Sequence, residues 1–283
     1  MKNAVQLTYI DTKNIYGTMN ISSVHFCNLT DRDKSLLMKI HHFSDINELK
    51  NYSFTRSDQE IIFTEHRKDI GFDYNFDWHK MFMADQAYLN GSVFEITKDF
   101  VLANPSGWPN IPEDILMIRK NLDGVLIGQP VADCPVVIAE DRKQGITTVT
   151  HSGGKMIDKK IPIAAIETLY REGSNPGDIY VRVGACAGKK WHYEKNMPDW
   201  AKDKQLWNQA ITYRKKDDSY YIDLRKALAL EFQSIGLDKN NISYDFHDTI
   251  SNPQYYSSSQ ATTDESKYGR HLIGAIYQKG RSR

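Results

Sequence analysis

Cysteine is scarce in this chain: three residues (Cys27, Cys134 and Cys186) among 283 leave no disulfide framework, and the odd count favours a reducing compartment. An excess of one charge sign is also missing. The 36 basic residues balance 36 acidic ones, so no global field draws the chain to nucleic acid or to an anionic membrane. No segment approaches the roughly 20 apolar residues that a membrane-spanning helix needs. The opening Met1-Lys-Asn-Ala-Val-Gln-Leu-Thr has neither the apolar core nor the small-residue cleavage site of a signal peptide, so the expectation is a cytoplasmic protein. Repeats and low-complexity tracts are absent and no composition break marks a boundary, so residues 1–283 are expected to form one domain. These absences leave a protein whose partner is a small neutral or anionic molecule.

What the chain does have is Val131-Ala132-Asp133-Cys134, followed seventeen positions after the cysteine by His151-Ser152-Gly153-Gly154. Between them Pro135-Val-Val-Ile-Ala139 and Ile146-Thr-Thr-Val-Thr150 flank the polar turn Glu140-Asp-Arg-Lys-Gln-Gly145. Two β-branched runs of strand length joined by a charged, glycine-ended connection predict a hairpin. Its pairing delivers Cys134 and His151 to the same end. A soft sulfur beside an imidazole suits a metal or an activated thiolate, whereas a single cysteine before a buried strand is otherwise a small core residue.

The rest reads as scaffold. The spacing of Leu36, Leu37, Met38 and Ile40 predicts a short helix over Asp31 to Phe43 ending in His41-His42, and Ser57-Asp58 caps a second from Gln59 to Ile70. Lys80 to Ile96 reads as a hairpin turning at Asn90-Gly91 or as a bulged strand, and Glu113 to Lys120 as a helical patch. Asp123 to Gly128 is a buried strand leading into the central hairpin. Beyond it Asp158 is the expected N-cap of a helix with Pro162 in its first turn and Gly173 at its end. A strand over Asp178 to Gly184, a helix over Trp200 to Ile211, a strand over Tyr220 to Leu224 and a helix over Arg225 to Gly236 follow. Ile242 to His247 and His271 to Tyr277 complete an α/β chain that mixes hairpins with single helices.

Taken together, Asp123-Gly-Val, Val-Ala-Asp-Cys at 131–134, His-Ser-Gly-Gly at 151–154, Gly-Ala-Cys-Ala-Gly at 184–188, Ile-Asp-Leu at 222–224 and Gly269-Arg270 resemble the YfiH family. This is also called the laccase-domain or polyphenol-oxidase family, and the likeness is strongest over residues 59–277. The resemblance implies a single domain of mixed α+β class, with mixed β-sheets packed against helices. It also implies purine nucleoside phosphorylase activity, in some members adenosine deamination, at a zinc site of His, Cys and His. Carried over by position, Cys134 and His151 are metal ligands and, with Asp133 as acid or base, catalytic residues. Gln86, Lys155, His247 and Arg270 are the expected substrate-binding set, with purine nucleoside and phosphate as ligands.

Several positions depart from the family pattern. The first ligand histidine, usual in Gln-Val-His-Gly, is replaced by Tyr88 or by Asn90, according to where one gap falls in Gln86-Ala-Tyr-Leu-Asn-Gly91. Neither is a good zinc ligand, which leaves His79 or Asp85 as stand-ins. A Trp-Arg pair becomes Gly154-Lys155, turning a forked donor into a point charge, and Tyr256-Ser-Ser-Ser-Gln-Ala carries no arginine. Asp133 is as well suited to capping a turn as to acid–base work. Three readings follow: a zinc-dependent phosphorylase, a metal-free hydrolase with Cys134 as nucleophile and His151 as base, and a nucleoside- or partner-binding protein that has stopped catalysing. Copper oxidation is disfavoured, because nine histidines without a His-X-His pair do not suit several copper sites.

Overall fold

The expected hairpin between Pro135 and Thr150 lies at the centre of the molecule. The computed structural model describes residues 25–28, 36–42, 77–84, 89–105, 111–252, 255–260 and 271–277. In chain order they form β1 (His25–Asn28), β2 (Leu36–His42), β3 (Met81–Met83), β4 (Val93–Glu95), α1 (Lys98–Ala103), β5 (Ile115–Arg119) and β6 (Leu126–Val131). The hairpin follows as β7 (Val136–Asp141) and β8 (Ile146–His151), then α2 (Gly154–Asp158), α3 (Ile161–Arg171), β9 (Ile179–Val183) and β10 (Tyr193–Glu194). The last part holds α4 (Lys204–Ala210), β11 (Ile211–Arg214), β12 (Ser219–Ile222), α5 (Leu224–Ser234), β13 (Ile242–Tyr244) and β14 (His271–Tyr277).

Three sheets result, with strand orders β1-β2-β14-β6-β3, β13-β9-β7-β8-β5-β4 and β10-β12-β11. Alternation along the hairpin sets the layers, because successive side chains point to opposite faces. Val136, Ile138 and Val149 pack with Ile127, Val131 and Ile273 of the five-stranded sheet. Val137, Ala139 and Ile146 pack the other way, onto Ile166, Leu169, Trp207 and Phe232 of the helices. The six-stranded sheet is thus covered on both faces, and β7 and β8 are buried along nearly their whole length, threonines included. No helix among the described residues is long and apolar enough to cross a membrane.

Four expectations change. Leu36–His42 is a strand between β1 and β14, its His42 opposite His271, so the predicted helix over Asp31 to Phe43 does not form at 36–42. Ile115–Arg119 is likewise a strand, paired with β8 and β4 and not helical. Short apolar runs carry no period that separates a buried strand from a buried helix, and tertiary pairing decides between them. β3 and β4 do not form a hairpin; they pair in parallel with β6 and β5, in different sheets. The long helix is capped at Lys160, which has φ 61°, and not at Asp158. Asp158 Oδ1 instead accepts from the N–H groups of Lys202 and Asp203 and from Trp207 Nε1 at 2.8–2.9 Å, which fastens the chain entering α4 to the end of α2. The helix expected over Gln59 to Ile70 lies outside the described residues.

Candidate active site

The register of the hairpin builds the site. Val136 stands opposite His151, and the pairing runs on, since the Ser152 N–H donates to the Pro135 carbonyl at 2.8 Å. Two further residues along, Cys134 faces Gly153. A Cβ added at Gly153 would lie 2.8 Å from Cys134 Sγ and 3.3 Å from His151 Nε2, so sulfur and imidazole converge on one point that only glycine leaves open. The next residue is as confined, because a Cβ at Gly154 would collide with the Trp200 ring. Cys134, His151, Lys155, His192, Glu194 and Trp200 line one cleft of about 470 Å³, within the roughly 300–1,000 Å³ typical of small-molecule sites.

The turn that carries Cys134 is held from its neighbour. Asp133 adopts φ 74°, a left-handed conformation that Asp tolerates better than most residues, and it is buried. Its Oδ1 accepts from Thr249 Oγ1 at 2.8 Å; its Oδ2 accepts from Ser257 Oγ at 3.0 Å and from the Ser259 N–H at 2.7 Å. Its carbonyl accepts from the Ala187 N–H at 2.8 Å. Both oxygens of the carboxylate are therefore occupied, and Oδ2 ties the turn to the wall of the cleft that holds Ser258 and Ser259.

Buried Asp114 does the same for the opposite rim. It accepts from the N–H groups of Leu89, Asn90 and Gly91 at 2.7–3.0 Å, while its carbonyl accepts from Thr150 Oγ1 at 2.9 Å. Leu89, with φ 51°, thereby reaches the cleft. Asn90 is exposed and its Oδ1 accepts from the Ser92 N–H at 2.8 Å, an Asx turn that uses the amide locally.

The other expected residues divide. Lys155 lines the cleft from α2. His247 does not line it: its Nδ1 lies 2.6 Å from Asp245 Oδ1, and its ring stacks on Tyr255 at 5.8 Å. His79 is tied to Asp77 at 2.9 Å at the surface. Gln86, Tyr88, Asp85 and Arg270 lie outside the described residues. Cys186 is a fully buried thiol whose pKa burial pushes up to about 12 against the pull of Arg225, so it is no nucleophile at neutral pH.

Sequence reasoning missed His192, Glu194 and Trp200. They sit on a segment far from the hairpin in sequence, and no spacing signal ties them to it. Burial pushes the His192 imidazole down in pKa against the charges of Asp133 and Asp248. Burial, with Asp199 nearby, pushes the Glu194 carboxyl up.

The donor set can be weighed against zinc. Cys134 and His151 supply a thiolate and an imidazole, but a catalytic zinc site uses three protein donors. Among the described residues no group of three or more His, Cys, Asp or Glu is gathered to hold a metal, and the Asn90 amide is used elsewhere. The described residues do not by themselves make a zinc site.

Comparison with known proteins bears on the family and the fold. The chain is 24% identical over 217 residues to purine nucleoside phosphorylase YlmD of Bacillus subtilis (strain 168), covering 76% of this chain and 77% of that protein. A shorter match, 32% over 71 residues, covers 25% of this chain and 26% of adenosine deaminase RL5 from an unknown prokaryotic organism. Among solved structures, the hypothetical protein YfiH of Bacillus licheniformis superposes with a TM-score of 0.69 at 17% identity, over 90% of this chain and 96% of that one. YlmD of Geobacillus stearothermophilus gives the same values. The family described as multi-copper polyphenol oxidoreductase laccase matches residues 42–278, and with its fold shared with YfiH and YlmD, the chain belongs to that family.

Proposed function

We propose that the cleft binds a purine nucleoside and that the protein acts on it as a purine nucleoside phosphorylase-like enzyme. The observation that carries this reading is the convergence of Cys134 Sγ and His151 Nε2 on Gly153 in a cleft that Lys155 also lines. The likeness to YlmD over three quarters of the chain supports the choice of substrate. In phosphorolysis an oxygen of phosphate bonds to the ribose C1′ as the bond from C1′ to the purine nitrogen breaks, and the departing base takes up a proton. Lys155, exposed at the first turn of α2, holds the phosphate as a point charge. His151 protonates the leaving base, and a Cys134 thiolate beside it favours the imidazolium that does so. Asp133 is a positioning residue, since its carboxylate oxygens are occupied by Thr249, Ser257 and Ser259.

A second reading, a cysteine hydrolase with Cys134 as nucleophile and His151 as its base, is favoured by Gly153, which leaves the thiol open to attack a substrate. The test is chromatography of adenosine and inosine incubated with the protein, with and without phosphate. Free base and ribose 1-phosphate formed only with phosphate, and lost in Cys134→Ala and His151→Asn, support phosphorolysis. Turnover indifferent to phosphate but lost in both variants supports the hydrolase. Metal content of untagged protein after chelation belongs beside it: stoichiometric, chelator-resistant zinc would mean that a third donor joins Cys134 and His151.

A further inference from the structure

Strand alternation places two polar side chains side by side on the wall of the cleft. β10 is short, but its pairing with β12 extends back through His192, whose carbonyl accepts from the Ile222 N–H at 2.9 Å. The His192 N–H donates to the Gly188 carbonyl at 3.0 Å, so the backbone on both sides of the imidazole is fixed. Residues i and i+2 of a strand share a face, about 7 Å apart. His192 and Glu194 both line the cleft, while Tyr193 between them points away, is exposed and sets its ring tilted against that of Tyr221, centroids 5.3 Å apart. Among the described residues, the buried His192 Nδ1 meets no hydrogen-bond partner. An unpaired buried nitrogen is an unfavourable feature that a ligand can relieve.

We infer that His192 and Glu194 orient the substrate, the carboxylate accepting from an N–H or O–H group and the imidazole pairing with the ligand's polar edge. The ligand class is a neutral nucleoside and not a nucleoside phosphate. That class rests on the reading above, and it follows from the placement of Glu194: a carboxylate lining this wall disfavours an added phosphate beside it. Burial keeps the imidazole neutral near pH 7, able to donate from one nitrogen and accept at the other.

The test is calorimetric binding of adenosine and of adenosine 5′-monophosphate to the parent, His192→Leu, His192→Gln and Glu194→Gln, with thermal midpoints as a folding control. Loss of one hydrogen bond to a charged or buried partner corresponds to about a tenfold weakening. Leu at 192 and Gln at 194 are expected to weaken adenosine binding by about tenfold or more. Gln at 192, which keeps a donor and an acceptor, is expected to recover most of the affinity. Variants that fold and bind adenosine as the parent does would overturn the inference while leaving phosphorolysis standing. A parent that binds adenosine without turning it over would remove phosphorolysis and leave the inference. A parent that binds no nucleoside, or that prefers the monophosphate, would overturn it as well.

Discussion

Replacing Asp133 separates a positioning carboxylate from an acid–base one. Alanine there removes the acceptor for three donors, Thr249 Oγ1, Ser257 Oγ and the Ser259 N–H, all within 3.0 Å. Each donor left buried without a partner costs about 1–3 kcal/mol, and release of a buried charge offsets part of the sum. Alanine also keeps the left-handed φ of 74° at a cost of about 1 kcal/mol. Asp133→Ala is therefore expected to destabilise the fold by about 3–5 kcal/mol, or roughly 6–10 °C in midpoint at about 2 °C per kcal/mol for a chain of this size. Asparagine differs. It tolerates the same φ, its oxygen can still serve Ser257 and Ser259, and the Thr249 hydroxyl can rotate to accept from its amide. Asp133→Asn should cost about 1 kcal/mol and keep nucleoside turnover within several-fold. Urea titration and steady-state kinetics of both variants decide the matter. A stable alanine variant would refute the hydrogen-bond accounting. An asparagine variant with the parent's stability but turnover reduced about a hundredfold or more would show that Asp133 moves a proton.

Three further outcomes are expected. Gly153→Ala drives a methyl to 2.8 Å from Cys134 Sγ, so it should fold yet lose most turnover and slow alkylation of Cys134; kinetics equal to the parent's would contradict the convergence of thiol and imidazole. Iodoacetamide mapped by peptide mass spectrometry should label Cys134 at pH 7–8 and spare Cys186 until the chain unfolds, since Cys186 is fully buried with a pKa pushed to about 12; early label on Cys186 would refute its assignment to the interior. Burial holds the His192 pKa in the folded protein below its unfolded value of about 6.5, so the unfolded chain binds that proton more readily. The His192 contribution is thus complete above pH 6.5 and is lost as pH falls below it, and His192→Gln should show a shallower fall in urea midpoint over that range. Superimposable profiles would mean that the imidazole is not buried.

The central hairpin was legible in the sequence because strand period and turn chemistry are local. Once β7 and β8 pair across Glu140–Gly145, geometry fixes Val136 opposite His151 and brings Cys134 to Gly153. The amphipathic helix carrying Ile163, Ile166 and Leu169 was legible for the same reason, and so was its proline in the first turn. Periodicity alone did not separate strand from helix at Leu36–His42 or Ile115–Arg119, where short apolar runs take the form that their neighbours' unpaired backbone dictates. Nor did any local signal show that Asp133 is held by residues 249, 257 and 259, or that Asp114 pins 89–91. The sequence determined that Cys134 and His151 come together, since both lie at one end of a single hairpin. Only tertiary structure decided the walls around it, His192, Glu194 and Trp200, because they reach the cleft through sheet pairing and packing between segments that no local spacing relates.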